Sequence, residues 1–189
     1  MRAARAEDFI VERFDGPIIG PIRDAVVKVY ADAMMPPPYG KSISDVQMFA
    51  SIIERHAERD GFRLFVARAD NEVVGFTYGY DSRPGGWWRE QVTEALGPEL
   101  TLRWLRDALE FTELAVRPGY QGMGIGTALH DALLADSDRR TAALSTLKQD
   151  TRGSMLYEKK GWITLLEEFW FPATPDPYRV MGIDLPPSR

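Results

Sequence analysis

The sequence predicts a mixed α/β fold, arranged as one domain over residues 1–189. Three observations carry this prediction. Segments with the two-residue period of strands alternate with segments that have the helical period. Residues 111–126 run from a strand-like stretch through a Pro-Gly turn into the glycine-rich start of a helix. The length of 189 residues and the hydrophobic content of 44% suit a single sizeable core.

The first half of the chain predicts a strand, two helices and a hairpin. Residues 9–14 alternate like a short strand, and residues 17–34 carry apolar side chains at helical spacing. Three prolines in the following loop end that helix. Ser42 or Ser44 caps a second helix that runs to about residue 59. Two β-rich runs, 62–69 and 72–80, then flank Asp70-Asn71, which is a hairpin signal.

The second half begins with an insertion and then alternates strands and helices. The insertion, at about 82–109, contains a helical stretch with four apolar residues at helical spacing: Val92, Leu96, Leu100 and Trp104. Strands are predicted at 111–116, 141–147, 162–171 and 179–185, and helices at about 122–136 and 150–160. Asp150 is the predicted N-cap of the last helix, and Gly161 follows its end.

The composition excludes several classes of site. Without cysteine, the chain has no disulfide, thiolate metal site or cysteine nucleophile, and its two histidines, His56 and His130, are interpreted as structural or surface residues. We therefore expect no metal. The net charge of −5 and the lack of a Lys/Arg-rich run argue against a nucleic-acid partner. No apolar run has membrane-spanning length, and residues 1–8 lack the hydrophobic stretch of a secretory signal, so we expect a cytoplasmic protein without a membrane partner.

The glycines at 122, 124 and 126 predict an anion-binding loop. Without Cβ atoms, their amides can close around an anion at a helix N-terminus. Their spacing is not that of the dinucleotide fingerprint, and no Lys-Ser or Lys-Thr follows as in a Walker A loop. The alternative is a glycine-rich turn that serves only tight packing.

Two motifs in order resemble the GNAT superfamily of acyl-CoA-dependent N-acyltransferases. The first is Gln/Arg-x-x-Gly-x-Gly/Ala, matched by Gln121, Gly124 and Gly126 after a Val-x-Pro-x-Tyr lead-in. The second is Tyr-Glu-Lys-x-Gly-Phe, which residues 157–162 resemble. The resemblance implies a GNAT-type fold: a mixed, mostly antiparallel central sheet of six to seven strands, splayed between strands 4 and 5, flanked by helices, with the insertion near 82–109 as the main departure.

The resemblance also implies where acetyl-CoA, the cosubstrate, binds. Backbone groups of Leu114 and Val116 would bind the pantetheine amides, and Gln121 would shape the loop. The pyrophosphate would lie against the amides of six consecutive residues: Gly122, Met123, Gly124, Ile125, Gly126 and Thr127. The candidate cations for the 3′-phosphate are Arg117, Arg152, Lys159 and Lys160.

Three residues are candidates for acid–base chemistry. An alkylamine must lose a proton to attack, and a carboxylate or an ordered water can accept it. Glu113 is the preferred base and Glu110 the second candidate, and strand alternation places them on opposite faces. The resemblance gives Tyr157 the role of protonating the leaving thiolate. The alternatives are solvated strand carboxylates and a tyrosine that only packs against the core.

The predicted function is acetyl transfer from acetyl-CoA to a primary amine of a small molecule or peptide, in a chain for which the resemblance also allows a homodimer. Aromatic segments at 34–39, 87–88, 104 and 169–178 are candidates for the acceptor pocket, or anchors of the insertion. Two departures stand out: Asp150 where relatives have asparagine, and Ser145 where some N-terminal acetyltransferases have glutamate. The alternatives are a non-catalytic acyl-CoA-binding module and a nucleotide-binding domain of another fold.

Overall fold

The computed structural model describes residues 9–186, and the chain divides into two compact units. Unit 1 contains the chain up to Tyr80 and the segment Glu113–Asp136, whereas unit 2 contains Asp81–Thr112 and the chain from Ser137 onward. The predicted domain of 1–189 includes residues 1–8 and 187–189, which lie outside the described residues, so the expectation that residues 1–8 lack a secretory signal falls on residues that are not described.

The described residues form seven strands and five helices. The strands are β1 (Ile10–Phe14), β2 (Arg63–Ala69), β3 (Glu72–Asp81), β4 (Ala108–Val116), β5 (Thr141–Leu147), β6 (Ile163–Phe169) and β7 (Tyr178–Asp184). The helices are α1 (Gly20–Met34), α2 (Ile43–Ala57), α3 (Trp87–Trp104), α4 (Ile125–Ala135) and α5 (Arg152–Lys159), with a 3-10 turn at Pro118–Tyr120. The strand order is β1-β2-β3-β4-β5-β7-β6, mostly antiparallel with a parallel β4–β5 pair, which confirms the predicted sheet.

In unit 1, local sequence signals position the strands and the helix that follows the glycines. Asp70 and Asn71 both adopt positive φ, of 48° and 65°, as a tight hairpin turn requires, and they join β2 to β3. On β3, a Cβ at Gly75 would lie 3.1 Å from Leu129 Cδ1 and 3.2 Å from Ala115 O. Glycine is therefore needed where α4 packs on this strand.

In unit 2, β5, β7 and β6 form an antiparallel ladder that α3 covers. Trp104, only 6% exposed, packs so closely on β7 that a Cβ at Gly182 would lie 2.7 Å from its Cε3 atom. Residues from α3, β5 and β7, among them Val92, Ala143 and Val180, form the core of this unit.

The structure corrects three predicted elements. The helical insertion is present, but Gly97 (φ 74°, ψ 172°) and Pro98 break α3, so Leu100 is 39% exposed rather than on the buried face. β4 begins at Ala108 instead of residue 111. α4 begins at Ile125 instead of residue 122, because left-handed backbone at Gly122 and Gly124 cannot be part of an α-helix.

Candidate active site

The loop between β4 and α4 has an irregular backbone that its glycines permit. Gly122 has φ 78° and Gly124 has φ 87°, and a Cβ at either position would meet no atom within 4 Å. Both residues are exposed. The loop is therefore left-handed at two points and open on its outer side, so close packing does not explain these two glycines.

Two side chains tie this loop to the rest of unit 1. Gln121 Nε2 donates a 2.9 Å hydrogen bond to the carbonyl oxygen of Val116, the last residue of β4. Arg117 Nε and Nη1 lie 2.9 Å from Asp32 and 3.0 Å from Glu72, respectively. The predicted loop-shaping contact of Gln121 has a direct counterpart here, and the Arg117 guanidinium is already engaged by two carboxylates.

The N-terminus of α4 has no side-chain cap. Gly124 occupies the N-cap position in left-handed conformation, and no acidic residue lies in the first turn. The first backbone bond of the helix runs from Ala128 N–H to Gly124 O. The amides of Ile125, Gly126 and Thr127 precede that bond, so they are directed toward the helix end and can bind an anion.

Glu113 lies on β4, partly buried, in an environment that favours its protonated form. Burial raises the pKa of Glu113 from 4.5 to about 7, while the Lys41 charge and the Leu114 N–H act in the opposite direction. The carbonyl oxygen of Glu113 accepts a 2.8 Å hydrogen bond from Thr77 Oγ1 on β3, which fixes the backbone. A carboxyl group with a pKa near 7 can accept and release a proton at neutral pH.

Tyr78, whose phenol interacts with the Glu113 charge, was missed by sequence reasoning. Tyr78 is 1% exposed, and burial, followed by the Glu113 charge, raises the pKa of its phenol well above 10. Its hydroxyl lies 3.1 Å from Nδ1 of His56, whose pKa is lowered to about 4 by burial and by Arg59 and Arg55. Because both groups are neutral at pH 7, the phenol donates to Nδ1, so His56 has the structural role that the sequence predicted.

Lys41 is the second missed residue. It is half-buried just before α2, and its charge acts on Glu113. No sequence signal could have found this interaction, because Lys41 and Glu113 lie in separate segments of the chain, both within unit 1.

Glu110, the second base candidate, lies on the part of β4 that belongs to unit 2. It is 3% exposed, and its Oε1 accepts a 2.9 Å hydrogen bond from Ser82 Oγ. Arg89 Nη1 donates to the same hydroxyl at 3.1 Å and also contacts Leu105 O. Glu110 is therefore buried and hydrogen-bonded within unit 2, and its role as a base stays a prediction.

Tyr157 lies on α5, within an aromatic cluster of unit 2. It is 8% exposed and meets Phe111 edge-on at 5.8 Å and Trp162 at 5.7 Å, measured between ring centroids. The ring is therefore held in one orientation by its neighbours. The predicted packing of Tyr157 and its proposed chemistry are compatible, because a positioned phenol can still donate a proton.

The N-cap of α5 is Thr151, which corrects the prediction of Asp150. Thr151 Oγ1 accepts from Ser154 N–H at 3.0 Å, and Thr151 N–H donates to Ser154 Oγ at 2.8 Å, which completes a reciprocal capping box. Both side chains are buried, whereas Asp150 is exposed one residue earlier. The physical reason is that only a cap at 151 places its N3 partner at a hydroxyl.

Comparison with known proteins identifies the family to which the chain belongs. Residues 60–164, more than half of the chain, match the family model described as the acetyltransferase (GNAT) domain. The chain belongs to this family. A GCN5-like protein acetyltransferase of Mycobacterium tuberculosis is 34% identical over 122 residues, which cover 60% of this chain and 59% of that relative. The chain thus spans about three-fifths of the length of the curated relative it matches.

Solved structures share the GNAT fold. The ribosomal-protein-S18-alanine N-acetyltransferase of Escherichia coli has a TM-score of 0.62 at 16% identity and covers 96% of both chains. The PaiA N-acetyltransferase of Thermoplasma acidophilum, in complex with coenzyme A, has a TM-score of 0.60 at 13% identity and covers 93% of this chain and 99% of that one. At these identities the similarity shows a common fold.

The residues of this GNAT chain fit a pyrophosphate at the α4 N-terminus. The donor set consists of backbone amides beside two exposed glycines, with open space where side chains would stand. Among the candidate cations, Arg117 is engaged by Asp32 and Glu72, whereas Arg152 and Lys159 are exposed on α5. The roles of the latter two, and of Lys160, in binding a 3′-phosphate stay predictions.

The aromatic residues of unit 2 divide into anchors and exposed rings. Trp88 Nε1 donates to Ser145 Oγ at 3.1 Å, and Trp104 is buried, so these two anchor the insertion within unit 2. Trp87, 58% exposed, stacks on Phe171 at 5.5 Å, and Trp170 is also exposed. The exposed rings stay candidates for binding an acceptor.

Between residues 9 and 186, no group of three or more histidine, aspartate or glutamate side chains is arranged to hold a metal ion. None of the helices in that same range combines the length and apolar character needed to cross a bilayer.

Proposed function

We propose that this chain transfers an acetyl group from acetyl-CoA to a primary amine of a small molecule or peptide. The observation that carries the proposal is the uncapped, doubly left-handed glycine loop at the α4 N-terminus, in a chain of the GNAT family. A helix end with free amides and no acidic residue suits a pyrophosphate, whereas a purely structural turn has no need of that arrangement.

Acetyl-CoA supplies an acetyl thioester, whose C–S bond breaks as the amine forms a new C–N bond. In our proposal Leu114 and Val116 bind the pantetheine through their backbone, and residues 122–127 bind the pyrophosphate. We further propose that residues 1–189 act as a single domain, because the family match at 60–164 takes in parts of both units.

Glu113 is the proposed base. Its pKa of about 7 matches the acceptance of a proton from an attacking amine, directly or through one water. Glu110 is not the preferred base, because it is buried and accepts a hydrogen bond from Ser82. Tyr157 is the proposed acid, since a phenol ordinarily carries its proton at neutral pH and can give it to the departing sulfur.

Two measurements test this proposal in sequence. Thermal denaturation with acetyl-CoA, ATP or NAD at equal concentration identifies the bound nucleotide, because a ligand that binds the folded state raises Tm. We expect acetyl-CoA to give the largest shift. Thiol release is then followed with a panel of primary amines, and we expect amine-dependent release of CoA.

Other outcomes point to the alternatives. Stabilisation by acetyl-CoA with no amine-dependent thiol release would indicate a non-catalytic acyl-CoA-binding module. A larger shift with ATP or NAD than with acetyl-CoA would contradict the assignment of the glycine loop to CoA.

A further inference from the structure

We propose that a cavity in unit 2 binds a small phosphorylated molecule, whose phosphoryl group lies between the guanidinium groups of Arg106 and Arg140. The cavity has a volume of about 1040 Å³, and its walls come from α3, from the residues just before β4 and β5, and from the end of β7. This volume suits a small organic ligand. The inference goes beyond the proposed acetyl transfer and concerns unit 2 alone.

The parallel strand pair brings Arg106 and Arg140 to one site. Ala108 pairs with Thr141 where β4 and β5 begin. The chain segments before these two residues are also joined, because Arg140 N–H donates to Asp107 O at 3.1 Å. Arg106 and Arg140 therefore stand on adjoining segments, and both line the same cavity. Their two guanidinium groups can thus contact a single ligand.

Most of the other charges in the cavity wall are already paired with each other. Arg103 Nη2 donates to both carboxylate oxygens of Asp184, at 2.7 Å each. Arg139 donates to Asp107 at 3.2 Å and to Asp138 at 2.7 Å. Three of the acids that line the cavity are therefore engaged by two arginines of the same wall.

Arg106 and Arg140 keep their charges for a ligand. Both side chains are exposed, and within residues 9–186 no carboxylate forms an ion pair with either of them. Glu99, the fourth acid of the wall, is exposed on α3 and also forms no ion pair with a described residue. Two unengaged positive charges against one negative charge leave an excess that favours an anion.

The pair of guanidinium groups suits a phosphoryl group better than a carboxylate. Each guanidinium is a planar fork of N–H donors that matches the oxygens of phosphate. A phosphate monoester carries close to two negative charges at neutral pH and three acceptor oxygens, so it can bind both forks, whereas a carboxylate has one charge and two oxygens. Leu102, 59% exposed, and Leu185 also line the cavity and can contact an apolar organic part of the ligand.

This candidate site and the glycine loop are formed by different residues. Arg106 and Arg140 precede the first residues of β4 and β5, whereas the glycine loop follows Val116, the last residue of β4. Binding in the cavity should therefore not compete with acetyl-CoA.

The test measures the affinity for phenyl phosphate by calorimetry in a phosphate-free buffer, with and without saturating CoA. We expect binding in both conditions. Because loss of a hydrogen bond to a charged group costs about 10- to 100-fold in affinity, Arg106→Gln and Arg140→Gln should each raise the Kd by that factor. Both side chains are exposed and unpaired among the described residues, so neither variant should change Tm appreciably.

A matched control and a second probe separate this site from a general effect of charge. Arg55, exposed on α2 in unit 1, gives Arg55→Gln, which removes the same charge away from the cavity, and we expect its Kd to equal that of the wild type. Benzoate has the same ring with a carboxylate, and we expect it to bind more weakly than phenyl phosphate.

Four results would overturn the proposal. They are no binding of phenyl phosphate in the millimolar range, loss of its binding when CoA is added, a Kd that is unchanged in both cavity variants or raised equally in Arg55→Gln, and a preference for benzoate. Because the readout is binding, the outcome does not depend on whether the protein transfers acetyl groups.

Discussion

The molecule contains two strand-to-helix junctions that differ in how they treat the unpaired amides at the helix N-terminus. In unit 1, β4 leads to α4 through Gly124, which caps the helix with no side chain. In unit 2, β5 leads to α5 through Thr151, whose reciprocal bonds with Ser154 satisfy the helix end internally. Both helix ends expose amide donors, but only the second supplies its own acceptors.

The difference suits the two junctions to different roles, ligand binding in the proposed function and the positioning of a helix. The open junction at α4 leaves its amides for an anion, and the strand before it carries Glu113. The closed junction at α5 is buried at Thr151 and Ser154, and it fixes the start of the helix that carries Tyr157. An open end therefore suits binding, whereas a self-satisfied end suits the positioning of a single side chain.

The largest expected effect is that of Tyr157→Phe, because phenylalanine keeps the ring of Tyr157 and removes the hydroxyl that is the proposed proton donor. Phenylalanine retains the ring contacts with Phe111 and Trp162. We expect kcat to fall by about 10²- to 10⁴-fold, the range for loss of a general acid, with acetyl-CoA affinity unchanged. Steady-state kinetics and calorimetry measure the two quantities, and an unchanged kcat would remove the proposed role.

The second prediction concerns a negative charge introduced at Gly124, at the N-terminus of α4. Asparagine and aspartate both tolerate the left-handed backbone at Gly124 (φ 87°), but only Gly124→Asp places a negative charge at the helix end. We expect the Kd for acetyl-CoA to be about 10- to 100-fold higher in Gly124→Asp than in Gly124→Asn, with a smaller difference at high salt.

Gly85 provides a matched control for that pair. It precedes α3 with φ 85° and open space at its Cβ position, so the backbone strain of the substitution is similar. We expect Gly85→Asp and Gly85→Asn to bind acetyl-CoA with equal affinity. If the Gly124 pair also bound equally, the α4 N-terminus would not be the pyrophosphate site.

Sequence patterns predicted the open junction better than the closed one. The spacing of Gln121, Gly124 and Gly126 identified the loop. Two of these residue types have a local reason in the structure, because Gln121 donates a hydrogen bond to Val116 O and Gly124 adopts a positive φ. The N-cap of α5 was placed at Asp150, since a carboxylate is a common cap. Serine at N3 is not the usual partner in a capping box, so the Thr151–Ser154 pair gave no recognisable signal.

Contacts between distant segments explain the remaining differences. The Gly97-Pro98 break could have been predicted from its residue types, which interrupt helices. In contrast, the influence of Lys41 on Glu113 and the hydrogen bond between His56 and Tyr78 depend on tertiary packing. No local period or motif encodes such pairs, so sequence reasoning found the base candidate but not its surroundings.

The third prediction concerns Glu113 on β4, the strand that precedes the α4 junction. The folded pKa of Glu113, about 7, lies above its ordinary value of 4.5, so the folded state binds the proton more tightly. The free energy of unfolding should therefore fall as pH rises from about 4.5 to 7, and remain lowered above that. We expect Glu113→Gln to be more stable than wild type by about 1 to 3 kcal/mol at pH 8 and equal to it near pH 4.5.

The same substitution should reduce activity, so stability and function would change in opposite directions. In the wild type we expect kcat/KM to rise with pH through an apparent pKa of about 7, and this rise should be absent from the residual activity of Glu113→Gln. Urea denaturation at both pH values measures stability, with the exposed Glu94→Gln as control. A wild type as stable as Glu113→Gln at pH 8 would contradict the burial argument.

The smallest expected effect is that of removing the Thr151 cap of α5. Thr151→Ala removes the acceptor for Ser154 N–H and leaves buried polar groups of the capping box unpaired, which costs about 1 to 2 kcal/mol in the free energy of unfolding. Asp150→Ala, one residue earlier and exposed, should cost less than about 0.5 kcal/mol. Urea denaturation distinguishes the two variants, and a larger loss of stability in Asp150→Ala would indicate that Asp150 is the N-cap.

Because Thr151 completes the helix end with protein groups alone, neither variant should alter the Kd for acetyl-CoA. A weaker Kd in Thr151→Ala would mean that the α5 junction, like that of α4, serves the ligand.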